Sequence, residues 1–272
     1  MASSSNIEEL RTLRSEFHQS LQIFAADSSL TFTIIHTVPA TSSTPSSTSP
    51  AADLRTLYVL DSSFNPPTYA HLTMIQRALG NDKGARPCRV CLLLATENAD
   101  KKPKPASFED RLVLMSLMAR NLRASLREQG SQQEADDLAV DVAVTKKPFF
   151  MDKAQSIDGS GVYGDVQQVH VTGVGGDGSG GGDVSREEQE AYVEAIGDGS
   201  RESEGMKKEW RKMIELVDDA ESVEGVSSTE SRKAAQEGRK EDLAKLVGEN
   251  VAEYVISEQL YAEPGAVKKS YT

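Results

Sequence analysis

Residues 57–79, LYVLDSSFNPPTYAHLTMIQRAL, constrain the fold more than any other stretch. Leu57, Tyr58, Val59 and Leu60 form an apolar run of strand length. Asp61 to Pro67 is turn chemistry, with serines, an asparagine and two prolines. Pro67 suits the start of a helix, where its missing N–H costs little, and Thr68 can cap that helix. Ala70, His71, Met74, Ile75, Ala78 and Leu79 then fall at helical spacing, and Gly80 ends the run. A strand, a tight turn and a helix place free backbone N–H groups and a positive dipole end beside His71. Such a place favours anions, phosphate in particular. The same pattern fits an ordinary strand–turn–helix unit with a solvated or structural histidine.

The following residues extend this unit. Residues 89–95, RVCLLLA, read as a second buried strand, and strand, helix and strand in this order imply a right-handed parallel crossover. At its carboxyl end comes TENADKKPKPASFEDR, where ligands sit in open parallel sheets. Asn98, Asp100, Lys101, Lys102 and Lys104 are placed for a ligand loop stiffened by Pro103 and Pro105, although the same charges suit a solvated loop. Ser107 with Asp110 caps the next helix, whose Leu112, Met115, Leu117 and Met118 read as core. Residues 124–137 read as a polar connector, 138–144 as a third strand, 149–153 as the start of a short helix and 166–173 as a fourth strand, with His170 structural.

A glycine-dense run, GVGGDGSGGGDVSREEQE, follows. It lacks the Gly-Lys-Ser/Thr ending of a phosphate loop and reads as a linker. Residues 185–196 and 205–219 are helix-prone and charged, and Trp210 in the second is either core or a base-stacking residue. Residues 225–238, GVSSTESRKAAQEG, begin another helix. There the hydroxyls of Ser227, Ser228 and Thr229 and the free amides can grip phosphate oxygens, and Arg232, one turn inside, can reach the same anion. A plain capped helix with a surface arginine fits as well. Residues 240–260 continue as helices with a packing face from Leu243 to Leu260.

At the other end, Ile7, Leu10, Leu13, Phe17, Leu21 and Phe24 mark a packing helix, and 30–38 a strand. The Ser/Thr/Pro-rich stretch 39–52 reads as a flexible loop. The organisation expected is an extension over 1–52, a domain over 53–262 with a flexible insertion at 174–205, and a frayed tail over 263–272. The net charge of −12 and pI near 4.9 argue against an open nucleic-acid surface. No apolar run reaches membrane-spanning length, and residues 1–22 carry charge and lack an apolar signal region, so cytoplasmic or nuclear residence is expected. Cys88 and Cys91 are the only cysteines, and one C-x-x-C without a second pair is too little for a zinc or redox site.

Two strings carry a family resemblance. Ser62-Ser63-Phe64-Asn65-Pro66 followed by Thr68-x-x-His71 resembles the nucleotide-binding turn of the nucleotidylyltransferase superfamily, and is most similar to that of the nicotinamide mononucleotide adenylyltransferases. The family pattern is Gly-Ser-Phe-Asn/Asp-Pro, then His/Thr-x-x-His. Ser62 here replaces the glycine, which restricts how closely backbone and nucleotide can approach. Val226-Ser227-Ser228-Thr229-x-x-Arg232 resembles the second family signature, Ile-Ser-Ser-Thr-x-x-Arg. The string VLDSSFNPPTxAH is closest to a divergent fungal branch.

The resemblance implies an α/β fold, a doubly wound parallel sheet of the nucleotidylyltransferase (Rossmann-like) type. The family's Gly-x-Asp segment, with the helix and strand after it, is expected to be lost by an internal deletion that removes part of the sheet. The implied reaction is adenylyl transfer from ATP to nicotinamide or nicotinic acid mononucleotide, with Mg²⁺ accompanying ATP rather than bound in a protein cage. His71, Thr68 and Arg232 would be catalytic. Ser62, Ser63, Phe64, Asn65, Lys101, Lys104, Ser227, Ser228, Thr229 and Arg232 would contact the nucleotides, and Lys146, Lys147 and Phe149 stand near the place where the family contacts the pyridine. The alternative is a catalytically impaired nucleotide-binding homologue with a regulatory or interaction role.

Overall fold

The apolar run that opens the first motif is buried on both faces, as a central parallel strand requires. Leu57 and Val59 enter one core, Tyr58 and Leu60 the other. The computed structural model describes residues 4–40, 42, 44–46, 53–81, 86–97, 106–174, 186–204, 206–218 and 226–262. In chain order the elements are α1 (Ser4–Ala26), β1 (Phe32–Val38), β2 (Thr56–Asp61), α2 (Tyr69–Gly80), β3 (Cys88–Ala95), α3 (Phe108–Glu128), α4 (Gln132–Asp137) and β4 (Ala139–Thr145). They continue as α5 (Phe150–Gly159), β5 (Gln167–Val174), α6 (Arg186–Gly197), β6 (Ile214–Asp218), α7 (Ser228–Gln236), α8 (Lys240–Val247) and α9 (Glu249–Ser257).

The strands form one six-stranded sheet in the order β1-β4-β3-β2-β5-β6. β2 to β6 are mutually parallel, and β1 pairs antiparallel with β4. The parallel strands therefore lie third, second, first, fourth, fifth across the sheet, the doubly wound order. The chain reverses direction between β2 and β5, and the crevice at their carboxyl ends is where such a sheet accepts a ligand. α1, α2, α3 and α7 to α9 bury their apolar stripes against one face, around Leu60, Leu92, Val142 and Val171. The other face, around Leu57, Val59, Cys91 and Leu93, is covered by Ile157 of α5 and by Tyr163.

The N-terminal extension belongs to this sheet and this core. Leu10, Phe17 and Phe24 recur every seven residues along α1, and all three are buried in the larger core. β1 is held at the edge partly by a buried carboxylate. Asp141 of β4 accepts from Thr37 Oγ1 (2.8 Å), Arg89 Nη2 (2.6 Å) and Tyr163 OH (2.9 Å). Those donors come from β1, β3 and the segment before β5. A carboxylate taken out of water needs such donors, and satisfying it here ties three parts of the chain together.

Three expectations from the sequence are corrected. Residues 124–137 are not a connector: α3 runs on to Glu128 and α4 follows, because Leu126 and Ala135 supply buried anchors within a polar surface. Residues 205–219 are not one helix. A short 3₁₀ segment (Lys208–Met213) leads into β6, where pairing with β5 overrides helical propensity. The sheet also does not lose a helix and a strand beyond β5, since α6 and β6 stand in that place, with Val193 and Ile196 of α6 buried. The glycine-dense residues 175–185 lie outside the described residues, as does the tail over 263–272. Among the described residues no helix is long and apolar enough to cross a membrane.

Candidate functional site

β2 delivers the first motif to the crevice. Phe64 is buried with φ +43°, in the left-handed region, so the turn folds its ring inward to lie 5.3 Å from the His71 imidazole. The Asn65–Pro66 peptide is cis. Asn65 is 2% exposed, and among the described residues its Oδ1 has no hydrogen-bond partner. Thr68, in extended conformation, caps α2. His71 folds back over the start of that helix: the Thr68 N–H donates to Nδ1 (3.1 Å), and Thr68 Oγ1 lies 2.9 Å from the same nitrogen. On the other side of the ring, Nε2 is 2.9 Å from Ser62 Oγ. Burial pushes the His71 pKa down to about 4, so the ring is neutral at neutral pH.

The second motif meets the first. Ser227 caps α7, its Oγ accepting from Glu230 N at 3.1 Å. Ser228 Oγ donates to the Pro66 carbonyl (2.8 Å). Arg232 Nη1 donates to the Asn65 carbonyl (2.8 Å), and its Nη2 donates to Thr229 Oγ1 (3.0 Å). Two polar helix starts, a guanidinium and several hydroxyls are thus brought to one turn, a set of donors suited to an anion. Of the residues singled out from the sequence, the structure gathers Ser62, Phe64, Asn65, Thr68, His71, Ser228, Thr229 and Arg232 in this bonded cluster. Ser63 lies within the turn and Ser227 at the cap.

Other candidates fall elsewhere. Lys101 and Lys104 lie outside the described residues, together with Asn98, Asp100 and Lys102. Lys146 is drawn away from the crevice: its Nζ donates to the Asp27 carbonyl (2.6 Å) and sits 4.8 Å from the Phe24 ring centroid, which fastens the end of α1. Phe149 is 65% exposed and lines a cavity of about 1390 Å³ on the face of the sheet covered by α5 and α6. Trp210, the single tryptophan, lines the same cavity.

Two residues that the sequence did not single out stand at this crevice. Asp61 closes β2 and lines the cavity, and it is ion-paired with Lys153 of α5. Burial raises the Asp61 pKa, and the Lys153 ammonium opposes that shift. An aspartate ending an apolar strand was a readable signal for Asp61. Lys153 offered none, because its place depends on how α5 packs back on the sheet. Beside the pair, His170 holds Gln168 Oε1 at 2.9 Å and packs edge-on against Phe150. Burial, then the Lys153 charge, drives its pKa down to about 3.

No family model matches the chain. A curated protein of Schizosaccharomyces pombe, described as "Putative nicotinamide mononucleotide adenylyltransferase", is 37% identical over 117 residues, which are 43% of this chain and 39% of that protein. The chain thus matches about two fifths of the length of this relative. Among solved structures, Plasmodium falciparum nicotinic acid mononucleotide adenylyltransferase complexed with NaAD is similar at a TM-score of 0.47 and 15% identity, over 76% of this chain and 97% of that one. The same enzyme complexed with APC gives a TM-score of 0.41 and 14% identity over the same shares. The motif resemblance and the description of this curated relative agree over the stretch that the two proteins share.

Proposed function

We propose that the chain binds ATP at the joined motifs and transfers its adenylyl group to nicotinamide or nicotinic acid mononucleotide, releasing pyrophosphate. One observation carries this reading. Arg232 bonds to the Asn65 carbonyl across 167 positions of sequence, so two phosphate-gripping motifs become one site beside the switch point of the sheet.

In this reading a 5′-phosphate oxygen of the mononucleotide attacks the α-phosphorus of ATP. The bond from that phosphorus to the bridging oxygen breaks, and pyrophosphate leaves with the electron pair. The attacking group belongs to the substrate, so no protein nucleophile is required. The chain contributes positioning and charge. Arg232, with Ser227, Ser228 and Thr229, holds the β- and γ-phosphates. Thr68 and His71 support the reacting end, and the Ser63-Phe64-Asn65 turn presents backbone to both nucleotides. Lys101 and Lys104 are assigned to the nucleotides by the motif resemblance alone. Phe149 and Trp210 offer ring faces to the pyridine. Mg²⁺ comes with ATP, on phosphate oxygens and water. Among the described residues no three His, Cys, Asp or Glu side chains are grouped to hold a metal.

A second reading, a nucleotide-binding relative that does not transfer, is favoured by Ser62 at the position of the family glycine. Calorimetric titration with Mg-ATP, followed by a coupled NAD-formation assay with nicotinamide mononucleotide, separates the two. ATP binding with NAD formation supports the transferase. Binding without NAD formation favours the second reading, and no binding removes both.

A further inference from the structure

Ser62 and His71 are bonded in a sense that the geometry fixes. The Thr68 backbone N–H can only donate, and it donates to His71 Nδ1 at 3.1 Å. That nitrogen therefore carries a lone pair and no proton, which also makes the Thr68 hydroxyl, 2.9 Å away, a second donor to it. The ring is buried and neutral, so its one proton is on Nε2. Nε2–H then donates to Ser62 Oγ across 2.9 Å. This is the reverse of a serine nucleophile and its histidine base, because the nitrogen facing the hydroxyl holds a proton and cannot take one.

The hydroxyl proton of Ser62 is left to point elsewhere. Among the described residues Ser62 Oγ makes no bond other than the one to His71. Ser62 is half-buried, at the carboxyl end of the central strand, between the cavity-lining Asp61 and the turn. We propose that Ser62 is the group that meets a phosphate oxygen of ATP here: His71 holds the serine oxygen as an acceptor, and the hydroxyl proton is turned outward to the ligand. His71 is then a positioning residue, acting through Ser62 rather than on the phosphate. The proposal rests on the reading of this site as an ATP site. It concerns the position where the resembling family has a glycine, so the extra hydroxyl takes over a contact instead of only narrowing the approach.

The test combines binding with a spectroscopic readout on the full chain. Mg-ATP is titrated into the wild type, Ser62→Ala and Ser62→Gly, and nitrogen-15 NMR reads the His71 tautomer at pH 7. ATP affinity is expected to fall about tenfold or more in both variants, the loss of one hydrogen bond to a charged group. His71 should show an unprotonated Nδ1 and a protonated Nε2 in all three. ATP affinity within twofold of wild type in folded variants overturns the assignment. So does a His71 protonated on Nδ1 in the wild type. ATP binding that depends on Ser62 without NAD formation upholds this assignment while refuting adenylyl transfer. Absence of ATP binding by the wild type overturns both.

Discussion

The Arg232 guanidinium donates through Nη1 to the main-chain carbonyl of Asn65 at 2.8 Å and through Nη2 to Thr229 Oγ1 at 3.0 Å. One planar fork thus spans the start of α7 and the turn after β2. A lysine has a single ammonium and cannot reproduce two directed contacts from one plane. Arg232→Lys is expected to weaken ATP binding by about tenfold, and Arg232→Gln by more, at the level of a charge-assisted hydrogen bond. Calorimetry with Mg-ATP reads the ranking.

His71→Ala removes the partner of Ser62 and Thr68 and the ring that packs on Phe64. Turnover in the NAD-formation assay should fall about tenfold or more, at least as far as in Ser62→Ala. Stability should fall by about 1–3 kcal/mol, the cost of a lost buried hydrogen bond and some packing, while the far-ultraviolet circular dichroism stays native. Unchanged turnover would refute the role given to this residue.

Acid should unfold the chain through its buried histidines. The folded pKa of His71 is about 4 and that of His170 about 3, against an ordinary value of 6.5. Below pH 6.5 the unfolded chain takes up protons that the folded chain refuses, so stability falls from there down to the folded pKa values. The loss for His71 alone is on the order of 3 kcal/mol by pH 4. Asp61, whose pKa is raised, works in the opposite sense as it protonates. Urea midpoints at pH 7, 5.5 and 4.5 should fall in that order, and less steeply in His170→Gln.

Asp141→Ala removes the acceptor shared by Thr37, Arg89 and Tyr163. Breaking a buried ion pair by deleting one partner typically costs about 3–5 kcal/mol. Because β1 depends on this node, its amides should lose hydrogen-exchange protection before those of β2 do. Asp141 is distant in sequence from both motifs, and ATP binding by the folded fraction should be retained.

Much of the architecture is legible in the sequence. The runs at 57–60 and 90–95 are apolar on successive residues because central parallel strands are buried on both faces, and these, with the Val-rich stretches at 138–144 and 166–173, became strands. Pro67, Thr68 and Gly80 bounded α2 by backbone chemistry that needs no tertiary context. The motif strings named the turn, the cap and the arginine. Misreadings came where local and long-range preferences disagree. Ile214 to Asp218 has helix-compatible composition, and only the free edge of β5 made it a strand. Residues 129–137 look polar because a surface helix needs only one apolar anchor, here Ala135.

The sequence by itself determined the parallel α/β class, the hydroxyl-capped starts of two helices, and the order of those helices along the chain, since each follows from local periodicity and capping. Tertiary structure decided that the two starts meet, that Lys153 reaches Asp61, that Lys146 turns away to α1, and that His71 is a neutral donor to Ser62. Those outcomes depend on strand order and on burial. Both are set by packing between segments far apart in the chain, and so are not written in any one stretch of it.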